Sequence, residues 1–256
     1  MNAGQDRAVR RSDPEVYPER EDTELLRAFA RARRGDWLLD LGTGNGALAL
    51  AAARRGAGVV ATDRNPAALR RLARAARAEG LRLLPVRTDL GRGIRPVDRL
   101  LSNPPYLPTP SGGEDPDPWV DLALNGGPDG CRVHARIVAG LFRSLRPGGT
   151  AFVLESSLQS PTRRERLRAG FRRRGGRVRR VAERALEGER LEIWEWRTPK
   201  PHPTGAARRT GRRPRGTAAR PPAPPPRRRG SSRGPAPGRT SAPGGASVRR
   251  RSPRGS

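Results

Sequence analysis

Asn103-Pro104-Pro105-Tyr106 follows the apolar run Val97–Ser102 and combines residue types suited to work on a planar nitrogen. Prolines at the end of a buried strand have no N–H to donate, so the Pro104 carbonyl is expected to turn into the cleft beside the Asn103 side-chain oxygen. Those are two acceptors for one NH₂ group. An NH₂ conjugated to a carbonyl or an aromatic ring is a poor nucleophile. Accepting its two hydrogens out of plane drives the nitrogen towards sp³ and aims its lone pair at an electrophile. Tyr106 would then stack on the flat target. Such catalysis is positioning plus transition-state polarisation, with no strong general base required. Asn103, Pro104 and Tyr106 are the catalytic candidates, and Pro105 joins them as substrate-binding. A Pro-Pro turn of purely structural use fits the same four residues.

The electrophile's holder is sought at the end of another apolar run, Trp37–Leu41, which leads into Gly42-Thr43-Gly44-Asn45-Gly46. This G-x-G-x-G spacing departs from the G-x-G-x-x-G that aims a helix N-terminus at a pyrophosphate. Asp40, just before the turn, suits a cationic group better than a phosphate. Asp63 lies 21 residues after Gly42, where a carboxylate can accept both hydroxyls of a ribose. Asp89 ends the next predicted strand, placed for the exocyclic amine of a base. S-adenosylmethionine meets all three demands, being a nucleoside with a cationic amino group and sulfonium and no phosphate. A tight turn without a ligand also accounts for the glycines, and Asp63 and Asp89 could instead cap the helices after them.

A regular frame must carry these residues. Residues 22–33 place Leu25, Leu26, Phe29 and Ala32 at helical spacing. A strand, the glycine turn and a helix over 47–55 come next. A strand over 58–62 ending at Asp63, a helix over 66–78 and a strand over 81–88 ending at Asp89 repeat the unit. Alternation of this kind implies a parallel sheet with helices on both faces. After Val97–Ser102, a loop rich in Pro, Gly and Asp runs to Gly130, long enough to be a binding segment. The spacing then predicts a helix over 133–145, a turn over 146–149, a strand over 150–155 and a helix over 163–174. An antiparallel hairpin of 177–184 with 190–197 makes seven strands. Ligands of open parallel sheets bind beyond the carboxyl ends of the strands, where these candidates sit.

Composition limits what else the chain can be. Residues 199–256 hold 16 of the 53 Lys and Arg, 13 of the 27 Pro, no Asp or Glu and no Phe, Trp or Tyr. They cannot bury a core and read as a disordered tail. Residues 1–15 read as a flexible N-terminus, and 16–198 as one α/β domain. One cysteine, Cys131, and two histidines, His134 and His202, make a disulfide or a metal centre unexpected. No apolar run approaches the ~20 residues that span a bilayer, and the polar start lacks the middle of a secretion signal. The chain reads as soluble and cytoplasmic. Arg outnumbers Lys so heavily that codon bias is the simplest account. The net charge of +28 favours an acidic partner.

Six segments together resemble the HemK-like protein glutamine-N5 methyltransferases. They are Val16-Tyr17-Pro18-Glu19-Arg20-Glu21-Asp22-Thr23, Asp40-Leu41-Gly42-Thr43-Gly44-Asn45-Gly46, Asp63-Arg64-Asn65-Pro66, Thr88-Asp89-Leu90, Asn103-Pro104-Pro105-Tyr106 and Gly126-Gly127-Pro128-Asp129-Gly130. The resemblance covers 16–197 and is closest to the short form, since 36 residues before Trp37 are too few for the bacterial enzyme's N-terminal helical domain. It implies a Rossmann-like class I methyltransferase fold, with seven mostly parallel strands ending in an antiparallel hairpin. It also implies residue roles. Thr23 would hold the carboxylate end of S-adenosylmethionine, and Asp40, Gly42 and Gly44 its methionyl part. Asp63 would bind the ribose, Asp89 and Leu90 the adenine. Asn103, beside the cofactor, would bind the target amide with Pro104. The family's best-known substrate is the glutamine of the Gly-Gly-Gln loop of peptide-chain release factors, and some relatives need a small activator subunit. One departure is visible: Glu19 stands where the family pattern has proline, with Pro18 one place earlier.

Asn-Pro-Pro-Tyr does not by itself choose the substrate. Adenine-N6 and cytosine-N4 methyltransferases resemble it on the same amine geometry, so a nucleic-acid amino-methyltransferase acting on rRNA or DNA is the alternative. A methyltransferase fold kept as an RNA- or ribosome-binding module is the non-enzymatic one. Against a DNA enzyme stands the lack of a second domain to hold a duplex and flip a base. The basic tail could touch ribosome or nucleic-acid phosphates, though without rings for bases to stack on.

Overall fold

The computed structural model describes residues 21–200. The N-terminal stretch 1–15, the start of the opening segment with Glu19, and residues 201–256 lie outside the described residues. Helix α1 (Glu21–Arg27) leads into strands and helices that alternate: β1 (Trp37–Leu41), α2 (Ala47–Arg54), β2 (Gly58–Asp63), α3 (Pro66–Ala78), β3 (Leu83–Arg87) and β4 (Val97–Ser102). Then come α4 (Pro118–Leu124), α5 (Arg132–Ser144), β5 (Leu145–Ser156), α6 (Pro161–Arg173), β6 (Arg177–Leu186) and β7 (Glu189–Arg197). The seven strands form one sheet in the order β3-β2-β1-β4-β5-β7-β6. β7 is antiparallel to β5 and β6, and the pairs among β1 to β5 are parallel.

The apolar runs form strands because both faces of the sheet are covered. Successive side chains point to opposite faces. Leu38, Leu101, Phe152 and Ile193 pack with Leu26, Leu48 and Leu72 of α1 to α3. Leu39, Leu100, Val153 and Trp196 pack with Ile137, Leu141 and Phe171 of α5 and α6. Each fully buried leucine or isoleucine contributes about 2 kcal/mol. The parallel strands therefore make a stiff platform whose carboxyl ends lie level: Leu41 pairs with Thr62 and with Ser102, and Asp63 with Arg87.

Several elements differ from the sequence expectations. The helix expected over 22–33 ends at Arg27, where Phe29 N–H bonds to Leu26 O and Ala30 N–H to Arg27 O. These tight turns still bury Ala30 and bring the Phe29 ring 4.8 Å from Phe152, so the apolar spacing is met without a continuous helix. The expected turn at 146–149 is a bulge inside β5: Val97 pairs with Leu145 but Arg99 with Thr150. Thr198 closes it, bonding to the Arg146 and Gly149 carbonyls, and Gly148 N–H reaches Pro199 O. The loop over 103–130 contains α4.

Charges buried beside β5 were not foreseen. Glu155 accepts hydrogen bonds from Arg168 (2.6 Å) and Arg164 (3.4 Å), and Arg164 also reaches Glu192 (3.1 Å). Burial pushes Glu155 up to about 7 against the pull of the two arginines. His134, fully buried 3.5 Å away, is pushed down to about 3 by desolvation and then by the same arginines. The imidazole is neutral at pH 7.

Candidate active site

The glycine turn after β1 binds together residues from two strands. Gly42 and Thr43 N–H both donate to Thr62 O, the Thr43 hydroxyl donates to Asp40 Oδ2 (2.7 Å), and Gly44 N–H donates to Asp63 Oδ2 (2.9 Å). The second Asp63 oxygen accepts from Asn65 N–H (2.8 Å). Both oxygens are thus fixed in direction while each keeps a lone pair for a further donor. Gly42 and Gly44 have φ of +71° and +52°, and a Cβ at either would meet nothing within 4 Å. The backbone is bare where a ligand would lie. At Gly46, by contrast, a Cβ would come 2.6 Å from Leu72 Cδ1, so that glycine serves packing.

Asp40 is 1% exposed. Desolvation pushes its carboxyl up to about 7; the Thr43 hydroxyl lowers it and Asp63 raises it. Two acidic side chains beside the glycine turn, Asp40 and Asp63, disfavour a phosphate and favour a cation. The residues therefore fit a cationic nucleoside such as S-adenosylmethionine.

The Asn103-Pro104-Pro105-Tyr106 segment begins where β4 ends. Ser102 Oγ donates to Leu41 O (3.0 Å), which locks β4 against the end of β1 beside Gly42. Asn103 is half-buried, and its side-chain oxygen is buried without a hydrogen-bond partner among the described residues. An orphaned buried acceptor costs about 1–3 kcal/mol, and a donor arriving from a substrate removes that cost. Pro104 and Tyr106 are buried and Pro105 is half-buried.

A second loop braces this segment. Leu107 N–H bonds to Leu124 O, Gly126 N–H to Leu107 O and Thr109 N–H to Gly127 O. Gly130, at φ +70°, lies so close that a Cβ would sit 2.4 Å from Tyr106 O. Gln159 holds Gly130 from behind, its amide donating to Gly130 O (2.8 Å). The Gly126-Gly127-Pro128-Asp129-Gly130 stretch is a brace for the acceptor segment. Gln159, alone after β5, carries no sequence signal for that duty.

The other expected residues are placed less directly. Asp89 and Leu90 follow β3, and Leu90 holds φ +54°, strained for a residue with a side chain. Asp89 pairs with Arg136 of α5, a partner 47 residues away that sequence reasoning missed. Thr23 is buried on α1, where its N–H and hydroxyl both point to Asp22 Oδ1. Among the described residues it makes no hydrogen bond to Asp40 or Gly42. Helix capping does not explain Asp63, because Asn65 caps α3 by accepting from Ala67 N–H. No helix follows Asp89 before β4.

The sheet order with β7 reversed, the glycine turn after β1 and the acceptor segment after β4 together define a class I methyltransferase. Residues 20–110 match the methyltransferase small domain family. A putative protein N5-glutamine methyltransferase of Methanocaldococcus jannaschii is 34% identical over 147 residues, 57% of this chain and 74% of the relative. The chain belongs to the protein N5-glutamine methyltransferase family. The release factor glutamine methyltransferase of Deinococcus radiodurans is 39% identical over 168 residues, 61% of this chain and 60% of that enzyme. The chain thus spans less than two thirds of that relative. Among solved structures, the E. cuniculi Mtq2-Trm112 complex, responsible for methylation of the eRF1 translation termination factor, aligns with a TM-score of 0.54 and 28% identity, over 72% of this chain and 99% of that one.

Proposed function

We propose that the chain transfers a methyl group from S-adenosylmethionine to the side-chain amide nitrogen of a protein glutamine, that of the Gly-Gly-Gln loop of a peptide-chain release factor. One observation carries the reading: the buried oxygen of Asn103, without a partner among the described residues, beside the end of β1 in a chain of this family. Asp40, Gly42 and Gly44 would hold the methionyl part of the cofactor with Thr23 nearby, Asp63 the ribose, and Asp89 with Leu90 the adenine. When bound, the cofactor supplies an electrophilic methyl group on sulfur.

Asn103 Oδ1 accepts one amide hydrogen of the target, and the Pro104 carbonyl is assigned the other. Holding both out of plane weakens conjugation to the glutamine carbonyl and frees the nitrogen lone pair. Tyr106 and Pro105 wall the flat amide, and the surplus proton leaves to water. Residues 201–256 are assigned a different part, adding affinity for phosphate-rich surfaces such as the ribosome without entering the chemistry.

Incubating the chain with labelled cofactor and cell extract, which also supplies any activator subunit, tests the substrate class. Label should be lost on protease treatment and survive nuclease, and a chain ending at Lys200 should label as well as the full one. Nuclease-sensitive label would contradict the reading.

A further inference from the structure

Helix α4 is apolar yet is not built into either core. Trp119, Val120, Leu122 and Leu124 are four large apolar side chains in seven residues, and no residue of the helix is buried. None of the four joins either hydrophobic cluster. A helix this short does not stand by itself. Its ends hold it: Asp117 accepts from Trp119 N–H (2.9 Å), Leu124 O accepts from Leu107 N–H (3.1 Å), and Asn125 Nδ2 donates to Asp121 (2.8 Å). Three residues lie between Asn103 and Leu107, so Leu107, whose N–H bonds to the end of α4, lies within about 13 Å of Asn103.

Charge along the segment that carries α4 is opposite to that of the molecule, and the Arg132 guanidinium from α5 reaches only its far end, at Asn125 (3.1 Å). The chain has 53 Lys and Arg against 25 Asp and Glu, yet from Asn103 to Cys131 there is no Lys or Arg. The same stretch holds five carboxylates: Glu114, Asp115, Asp117, Asp121 and Asp129. Glu114 and Asp115 are exposed. A polyanion is repelled from such a rim, and a cationic segment is drawn to it. Aromatic and aliphatic side chains left half-covered beside a reaction site are the kind that anchor a protein partner.

We propose that α4 and its acidic rim dock a cationic, apolar segment of the substrate protein flanking the target glutamine. The proposal rests on the reading of the chain as a protein-glutamine methyltransferase and adds what selects the protein. Trp119 and Leu122 cover apolar side chains of that segment, while Glu114 and Asp115 meet its arginines or lysines.

Binding can be read without turnover. The full chain, saturated with the demethylated cofactor, is titrated against two fluorescent peptides sharing a Gly-Gly-Gln centre, one flanked by Arg and Leu, the other by Glu and Ser, and against an RNA oligonucleotide. The Arg/Leu peptide should bind at least about tenfold tighter than the Glu/Ser peptide, a preference that salt reduces. Trp119→Ala, and separately Glu114→Lys with Asp115→Lys, should each weaken the Arg/Leu peptide by about fivefold or more with cofactor affinity unchanged, while RNA binding is unchanged by Trp119→Ala and strengthened by the two lysines. Equal binding of the two peptides, no binding of either, insensitivity to both variants, or RNA binding that depends on Trp119 would overturn the proposal. Docking that depends on α4 without methylation of either peptide would instead contradict the assigned reaction and leave the surface standing.

Discussion

On the proposed function, Asp40 would couple a buried acid to a cationic ligand. Its carboxyl, pushed up to about 7 mainly by desolvation, is half protonated at neutral pH. A cation placed beside it stabilises only the ionised form, so binding must draw that proton off. Between pH 7.0 and 6.0 the ionised fraction falls from about a half to about a tenth, and affinity for S-adenosylmethionine should fall about fivefold. Asp40→Asn should bind more weakly and lose this dependence. Calorimetry across that range is the check, and a constant wild-type affinity would separate Asp40 from the cofactor. The placement of Asp40, Asp63 and Asn103 at the ends of neighbouring strands was legible, because each closes or follows an apolar run. The Asp89–Arg136 pair was not, since only folding brings α5 to the end of β3.

Loops after β4 and β5 set the acceptor's position. Gly130→Ala would put a Cβ 2.4 Å from the Tyr106 carbonyl oxygen, at a φ of +70° that resists a side chain. The Asn103-Pro104-Pro105-Tyr106 segment would have to shift. A displacement near 1 Å costs up to about 10² in rate, so turnover should fall at least tenfold while cofactor affinity stays within twofold. Steady-state kinetics beside calorimetry decides it, and unchanged turnover would show that the brace does not position the acceptor. Strands were readable wherever both faces are buried, as in Trp37–Leu41 and Val97–Ser102, which match the expected bounds. α4 and the β5 bulge escaped because short local hydrogen bonds and contacts from Thr198 make them, not periodicity.

Across the whole molecule, the sheet brings four strand ends to one rim, and the chain places its acidic stretch there although it is basic overall. Length and alternation revealed that architecture. The buried Glu155, Arg164, Arg168 and His134 cluster did not show, because charged residues on α6 read as a solvated face until β5 and β7 cover them. Among the described residues no helix is long and apolar enough to cross a membrane. On the proposed function, this frame presents one amide nitrogen to one methyl donor. The most direct test is mass spectrometry of a release factor after incubation with the chain and S-adenosylmethionine, run in parallel with Asn103→Ala. One methyl group should appear on the side-chain nitrogen of the Gly-Gly-Gln glutamine, and the variant should lose about 10² or more of the rate with cofactor affinity intact. An unmodified glutamine despite bound cofactor, or an Asn103→Ala variant turning over at the wild-type rate, would contradict it.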